Sequence, residues 1–250
     1  MTPSAKQLAD VFVDLAGASL PASPAGEAGL LDLLVHHSVD LLDGCTAAAV
    51  RVHTRDGVEV AGSGRAMHRL ELDAADWEEG PGHDSEGTNA SVEDAQFSDP
   101  VICLRWPRYV ARAGALGLHR VTALPLRTEE RLPGLGSLTL LGRSRLTAAV
   151  LGVGQSLADM AAITLERNRQ ISESRVRGDQ LEHALTSRVL IEQAKGVLSG
   201  RLSIPPDSAF TLLRDHARAN RRLLNDVARD VISGRLTLHQ ESSPVRERRL

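Results

Sequence analysis

Residues 191–202 read IEQAKGVLSGRL. Ile191, Ala194, Val197 and Leu198, with Leu190 just before them, fall on one helical face, so the stretch predicts an amphipathic helix. Lys195 and Gly196 interrupt that helix beside its apolar seam. A glycine in a helix interior costs about 1 kcal/mol relative to alanine. Two readings account for it. The missing side chain lets another backbone or a base come close, or Gly196 packs tightly against a neighbouring helix while the cations are merely solvated. Arg188 lies seven residues before Lys195 and so shares its stripe, a basic pair beside bare backbone.

Two more helices follow. In SIPPDSAFTLLRDHARAN (203–220), Pro206 suits a first helical position, where its missing N–H does no harm. Phe210, Leu213 and Ala217 line one side, with Ala209, Leu212 and His216 nearby, and Asn220 is the expected left-handed stop. Leu224, Val227, Ala228, Val231 and Ile232 give the third helix one apolar face, and Gly234 ends it. Residues 186–236 therefore predict a compact three-helix bundle, its first helix ending near Gly200. Arg218, Arg221 and Arg222 cluster where the second helix meets the third.

Upstream, helical phase begins near Thr147 and meets no proline before the bundle. Positions 157, 164, 171, 178 and 185 are Leu, Thr, Ile, Gly and Leu, a sparse heptad stripe with charged neighbours. The connector 167–185 reads either as a parallel coiled coil joining two protomers or as a solvated helix with a flexible point at Gly178. The N-terminal part has another rhythm. Residues 5–16 and 27–42 are helical in pattern, separated by a Gly/Pro/Ser-rich break. TAAAVRVHT (46–54) and GVEVAGSG (57–64) alternate and predict a hairpin. Residues 64–100 are polar and acidic without clear period and read as loops. HRVTALPLRT (119–128) and GLGSLTLLGR (134–143) give two more strands joined by EERLPG. The fold class expected is α+β, a sensor-type domain over 25–166 with a central antiparallel sheet. It is preceded by a helix and linker (1–24) and followed by the connector, the bundle and a disordered tail (237–250).

Composition narrows the function. Aromatics make up 2% of the 250 residues, so the core must come from Leu, Val, Ile and Ala. Residues 1–160 carry 13 Lys+Arg against 21 Asp+Glu, whereas 181–236 carry 9 against 6. An acidic front and a basic back suit a regulatory domain joined to a nucleic-acid-binding one. Cys45 and Cys103 stand alone, in no metal-like spacing, and imply neither disulfide nor zinc. His36–His37 is a single pair of helical histidines and reads as surface. The N-terminus lacks the basic and apolar regions of a signal peptide, and no stretch approaches 18 uncharged apolar residues. A cytoplasmic protein with no metal, no catalytic residues, no membrane partner and no assignable cofactor is expected.

The stretch SRVLIEQAKGVLSGRL…AFTLLRDHARANRRLLNDVARDVI resembles the ANTAR domain, the three-helix RNA-binding module of transcription antitermination regulators. The residues that match in order are Arg188, Ile191, Gln193, Ala194, Lys195, Gly196, Leu198, Ala209, Phe210, Leu213, Ala217, Leu224, Val227 and Ala228. The resemblance implies binding to paired RNA hairpins in nascent transcripts, which excludes a competing terminator. It implies that Ala194, Lys195 and Gly196, exposed, form the contact surface with Arg188, Arg218, Arg221 and Arg222. Two positions depart from the pattern. Ser199 stands where the family usually has Met, and Leu223 separates Arg221–Arg222 from the leucine they usually adjoin. RWPRYVARAGALGLHRVTALPLR, GSLTLLG and SLADMAAITLE resemble parts of a GAF domain, which implies a small-molecule ligand of unknown identity. Pairings of this kind are familiar among actinobacterial regulators, and a homodimer is expected.

Two other classes compete. Three short helices also describe a helix-turn-helix DNA-binding regulator. The second and third helices lack a compact Gly-containing turn before a polar recognition helix, and Asp226 and Asp230 make the third helix acidic. Some GAF domains reduce methionine sulfoxide through cysteines, but no Cys/His/Asp grouping surrounds Cys45 or Cys103. No receiver-like phosphoacceptor pattern is present, so control falls to the GAF-like domain or to dimerisation.

Overall fold

The computed structural model describes residues 4–18, 26–55, 57–127 and 135–239. The chain divides into two compact units, 1–171 and 172–250.

In the first unit, α1 (Ala5–Gly17) starts at a capping box. The Ser4 side chain accepts from the Gln7 amide, and the Gln7 side chain accepts from the Ser4 amide. α2 (Gly26–Leu41) follows, then β1 (Cys45–His53) and β2 (Val58–Gly62), the expected hairpin. β4 (Arg120–Leu126) and β5 (Gly136–Gly142) are the other two expected strands; the link between them lies outside the described residues. With β3 (Val92–Gln96) they form a five-stranded antiparallel sheet in the order β2-β1-β5-β4-β3. The period of two sorts the residues of β1 between two layers. Ala48, Val50 and Val52 join a core with Leu30, Leu31 and Leu34 of α2 and Leu157, Ala161 and Leu165 of a long C-terminal helix. Ala49, on the opposite face, joins Leu70, Trp106, Tyr109 and Ala113.

Residues 64–100 are mostly regular structure, not loops. They hold α3 (Arg65–Trp77), α4 (Pro81–Thr88) and β3, and α5 (Pro100–Arg105) begins at their end. α6 (Pro107–Ala115) completes this layer. The buried residues of α3 are Met67, Leu70, Glu71 and Ala74, a regular helical spacing disguised because one of the four is a glutamate. In β3 a register shift between Val92 and Ala95, with Asp94 at φ 51°, erased the alternation.

α7 (Ala148–Leu202) is one helix of 55 residues and contributes to both units. It does not break at Gly178, and it ends two residues beyond Gly200. An 18-residue window of α7 is long and apolar enough to cross a membrane by length and composition, contrary to the sequence expectation. Leu157, Ala158, Ala161, Ala162 and Leu165 in this part of the helix are all 0% exposed, packed within the N-terminal unit's own core. The heptad stripe divides accordingly: Leu157 and Thr164 are buried, whereas Ile171 and Leu185 are exposed.

In the second unit, the end of α7 packs with α8 (Pro206–Ala219) and α9 (Leu224–Ile232). Ala194, Leu198, Ala209, Leu213, Ala217, Val227, Ala228 and Val231 form its core. Leu238 joins them, so the ordered module passes Leu236, where the sequence placed a disordered tail; residues 240–250 lie outside the described ones. Ser187 on α7 donates to Asn225 of α9 at 2.6 Å.

Candidate nucleic-acid interface

The first residue to place is Gly196. It is exposed, and a Cβ built on it meets nothing within 4 Å. The tight-packing reading of this glycine is therefore wrong. The propensity cost of the glycine is not recovered by any contact among the described residues.

Its neighbours divide. Ala194 was expected at the surface, but it is 0% exposed and belongs to the core of the module. It faces α8 and α9 because it continues the seam of Ile191 and Leu198, and its small size allows that close approach. It cannot touch an outside ligand. The Lys195 side chain is 15% exposed and lies in an ion pair with Glu192, its Nζ 2.9 Å and 3.0 Å from the two carboxylate oxygens. The same Nζ sits 5.9 Å from the centroid of the Phe210 ring. Arg188 is exposed and has no hydrogen bond or ion pair among the described residues.

The α8–α9 junction also differs from expectation. Asn220 has φ −99°, and the left-handed residue is Arg221 at φ 50°. Asn220 also returns its side-chain amide to the His216 carbonyl, 2.9 Å away, while the left-handed turn at Arg221 sends the Arg221 and Arg222 amides back to the Arg218 and Ala217 carbonyls. Arg218 and Arg221 are exposed with no side-chain partner among the described residues. Arg222 is committed elsewhere: it donates to Asp230, which also receives Arg235 at 3.0 Å. The hydrogen bond from Arg222 holds the Asp230 carboxyl below its ordinary pKa. Leu223 caps α9 and is 73% exposed, which explains why Arg221 and Arg222 stand outside the helix. Sequence reasoning missed Arg201, exposed and likewise free among the described residues. Arg188, Arg201, Arg218 and Arg221 are thus the cations available to phosphates, while Lys195 and Arg222 must first exchange a carboxylate.

The N-terminal unit holds a second polar site, buried on the α3–α4–α6 side of the sheet. Arg51, 2% exposed, makes a two-pronged pair with Glu86, with Nε–Oε1 and Nη2–Oε2 each 3.0 Å. Ser137 donates to Glu86 at 2.8 Å, and His53 Nε2 lies 2.9 Å from its other oxygen. Gly82 is required here, since a Cβ on it would come within 2.7 Å of Ser137 Oγ. Nearby, Tyr109 donates to Glu71 at 2.9 Å. Burial pushes the Glu71 carboxyl above its ordinary value and the Tyr109 phenol further up. The backbone carbonyl of His53 accepts from Arg169 on α7 at 2.9 Å, and Arg169 also pairs with Glu27. A cleft of about 310 Å³ lined by Glu93, Arg145, Leu146, Thr147, Ala148 and Leu151 includes none of these groups. Cys45 is buried, its thiol pushed up to about 11 by desolvation, and Cys103 donates to the Phe97 carbonyl. His36 and His37 pair separately with Asp40 and Asp14.

Residues 179–232 match the family model described as ANTAR domain. No curated protein matches the chain. Similar solved structures include the GAF domain from a phosphoenolpyruvate-protein phosphotransferase of Coxiella burnetii, with 15% identity and TM-score 0.47, covering 71% of this chain and 99% of that one. The GAF domain from the Acinetobacter phosphoenolpyruvate-protein phosphotransferase shows 9% identity and TM-score 0.44, covering 68% of this chain and 98% of that one. Free methionine-R-sulfoxide reductase from Neisseria meningitidis shows 12% and 0.45, covering 68% and 96%. At such identities and TM-scores these likenesses transfer no ligand, activity or residue role. The chain joins an N-terminal α+β unit, built on a five-stranded antiparallel sheet, to a C-terminal ANTAR domain. An ANTAR domain implies RNA-binding antitermination regulation.

Proposed function

We propose that this protein is a cytoplasmic, non-enzymatic transcription antitermination regulator whose ANTAR module binds a pair of hairpins in nascent mRNA under control of the GAF-like unit. The observation that carries the reading is Gly196. It is bare backbone on an exposed helix face, with Lys195 beside it, inside the segment that matches the ANTAR family. Arg188, Arg201, Arg218 and Arg221 supply unpaired cations for phosphates. Ala194 holds the helix against its neighbours and makes no contact with RNA. The exposed side chains of Ile171, Leu181, Leu185 and Val189 give α7 an apolar stripe for a second copy, so that two modules engage two hairpins. Any ligand of the GAF-like unit acts by changing that helix.

In vitro transcription through a leader with tandem hairpins and an intrinsic terminator tests the function. The wild type is expected to raise readthrough, and Arg188→Ala with Gly196→Ala to abolish the rise. Unchanged termination with every hairpin pair tried, together with tight binding to duplex DNA, would replace this reading by a DNA-binding one.

A further inference from the structure

Residues 172–250 contain one aromatic residue, Phe210. The module's buried core is built without it, from Ala, Leu and Val, and Phe210 is not among the partly buried residues packed against that core. Its ring is half-buried at the surface, five residues into α8, with Lys195 Nζ 5.9 Å from the centroid. A helix that needed only an apolar anchor would turn this side chain inward, as it does Ala209 and Leu213. Arg214 and Arg218 follow at four-residue steps, so ring and cations lie along one stripe of α8, about 6 Å apart in rise. Arg214 has only an exposed pair with Asp215 at 3.6 Å, and Arg218 is free among the described residues.

We propose that Phe210 is the stacking platform for one unpaired base of the RNA, with Lys195 over the ring as the cation that follows the base's phosphate. The inference rests on the proposed RNA function and names the kind of RNA that function requires: single-stranded loop nucleotides rather than a helical stem. Every base has a π-face, and stacking on an exposed aromatic side chain is how unpaired RNA bases are held. A base paired in a stem is already stacked and cannot use the ring. Lys195 releases Glu192 when a phosphate takes its place, so binding exchanges one exposed ion pair for another.

The experiment measures binding of the full chain to a hairpin pair carrying 2-aminopurine at each loop position in turn, and to the same stems closed into a continuous duplex. For the wild type, tight binding of the hairpins, weak binding of the duplex and strong quenching at one loop position are expected. Phe210→Tyr keeps both affinity and quenching. Phe210→Leu, which keeps an apolar side chain, loses roughly 5- to 100-fold in hairpin affinity and the quenching with it. A folded Phe210→Leu protein that binds and quenches like the wild type overturns the inference while leaving RNA binding intact. If the leucine variant does not fold, absence of quenching at every loop position in the wild type overturns it equally. A wild type that binds no hairpin overturns the functional reading and this inference together.

Discussion

Gly196→Ala separates folding from function, because the two effects are expected to carry opposite signs. The position lies inside α7, six residues before its end, and the added methyl meets nothing within 4 Å. Only the helix propensity changes, so the module gains about 0.5–1 kcal/mol. For a unit of this size that raises the midpoint of thermal unfolding by roughly 2–8 °C. The same methyl fills the space that a phosphate chain or base needs in order to reach the backbone, so hairpin affinity falls by at least about tenfold, the effect of losing close contact worth some 1.4 kcal/mol. Gly178→Ala is the matched control. It lies in the same helix with equally open surroundings but outside the basic surface, so it raises stability without touching affinity. Circular dichroism melts and fluorescence anisotropy on labelled hairpins read both quantities. A stabilised Gly196→Ala protein that binds RNA as well as the wild type would refute the close-approach role of the glycine. A destabilised one would contradict the open environment from which the gain is worked.

Three further outcomes follow from particular contacts. Glu86→Ala leaves the Arg51 guanidinium buried without its counter-charge and costs about 3–5 kcal/mol in urea denaturation of the N-terminal unit; a loss below about 1 kcal/mol would mean that Arg51 is not shut off from water. Burial raises the Glu71 carboxyl, so the native state holds a proton that the unfolded chain releases; stability therefore falls as pH rises from the ordinary glutamate range through the native value, and Glu71→Gln should flatten that fall in melts across the range. Leu181→Glu with Leu185→Glu, at positions 72% and 65% exposed, leaves the fold intact and should convert a dimer into a monomer in sedimentation velocity; an unchanged coefficient would remove α7 as the dimer interface.

The sequence was most legible where burial and period agree. β1, β2, β4 and β5 alternate or run apolar, and all four are strands where the sequence placed them. The C-terminal helices carry clean apolar seams, hence the early sight of the bundle. Legibility failed where a polar group is buried by design. Glu71 sits on the core face of α3, and Glu86 anchors α4, a helix of the sequence PGHDSEGT that propensity alone would not form. Neither residue advertises that its partner, Tyr109 or Arg51, stands dozens of positions away. In the candidate interface the seven expected residues were sorted by facts invisible in one dimension. Ala194 and Lys195 are adjacent, yet one turns into the core and the other out toward Phe210. Arg221 and Arg222 are adjacent too, yet only Arg222 finds Asp230 within reach, a pairing that depends on where the chain turns. Gly178 carried the opposite lesson: a glycine without proline or a cap nearby did not interrupt a helix held at both ends by packed units.

The most direct test of the account is equilibrium binding of the full-length protein to a tandem-hairpin RNA and to duplex DNA of the same stem sequence, each at two salt concentrations. The account predicts preferential binding of the RNA, weakening with salt in proportion to the phosphates contacted, and loss of that salt slope by about 0.7 for each cation removed among Arg188, Arg201, Arg218 and Arg221. Equal or tighter binding of the DNA, or RNA binding indifferent to all four arginines, would contradict it.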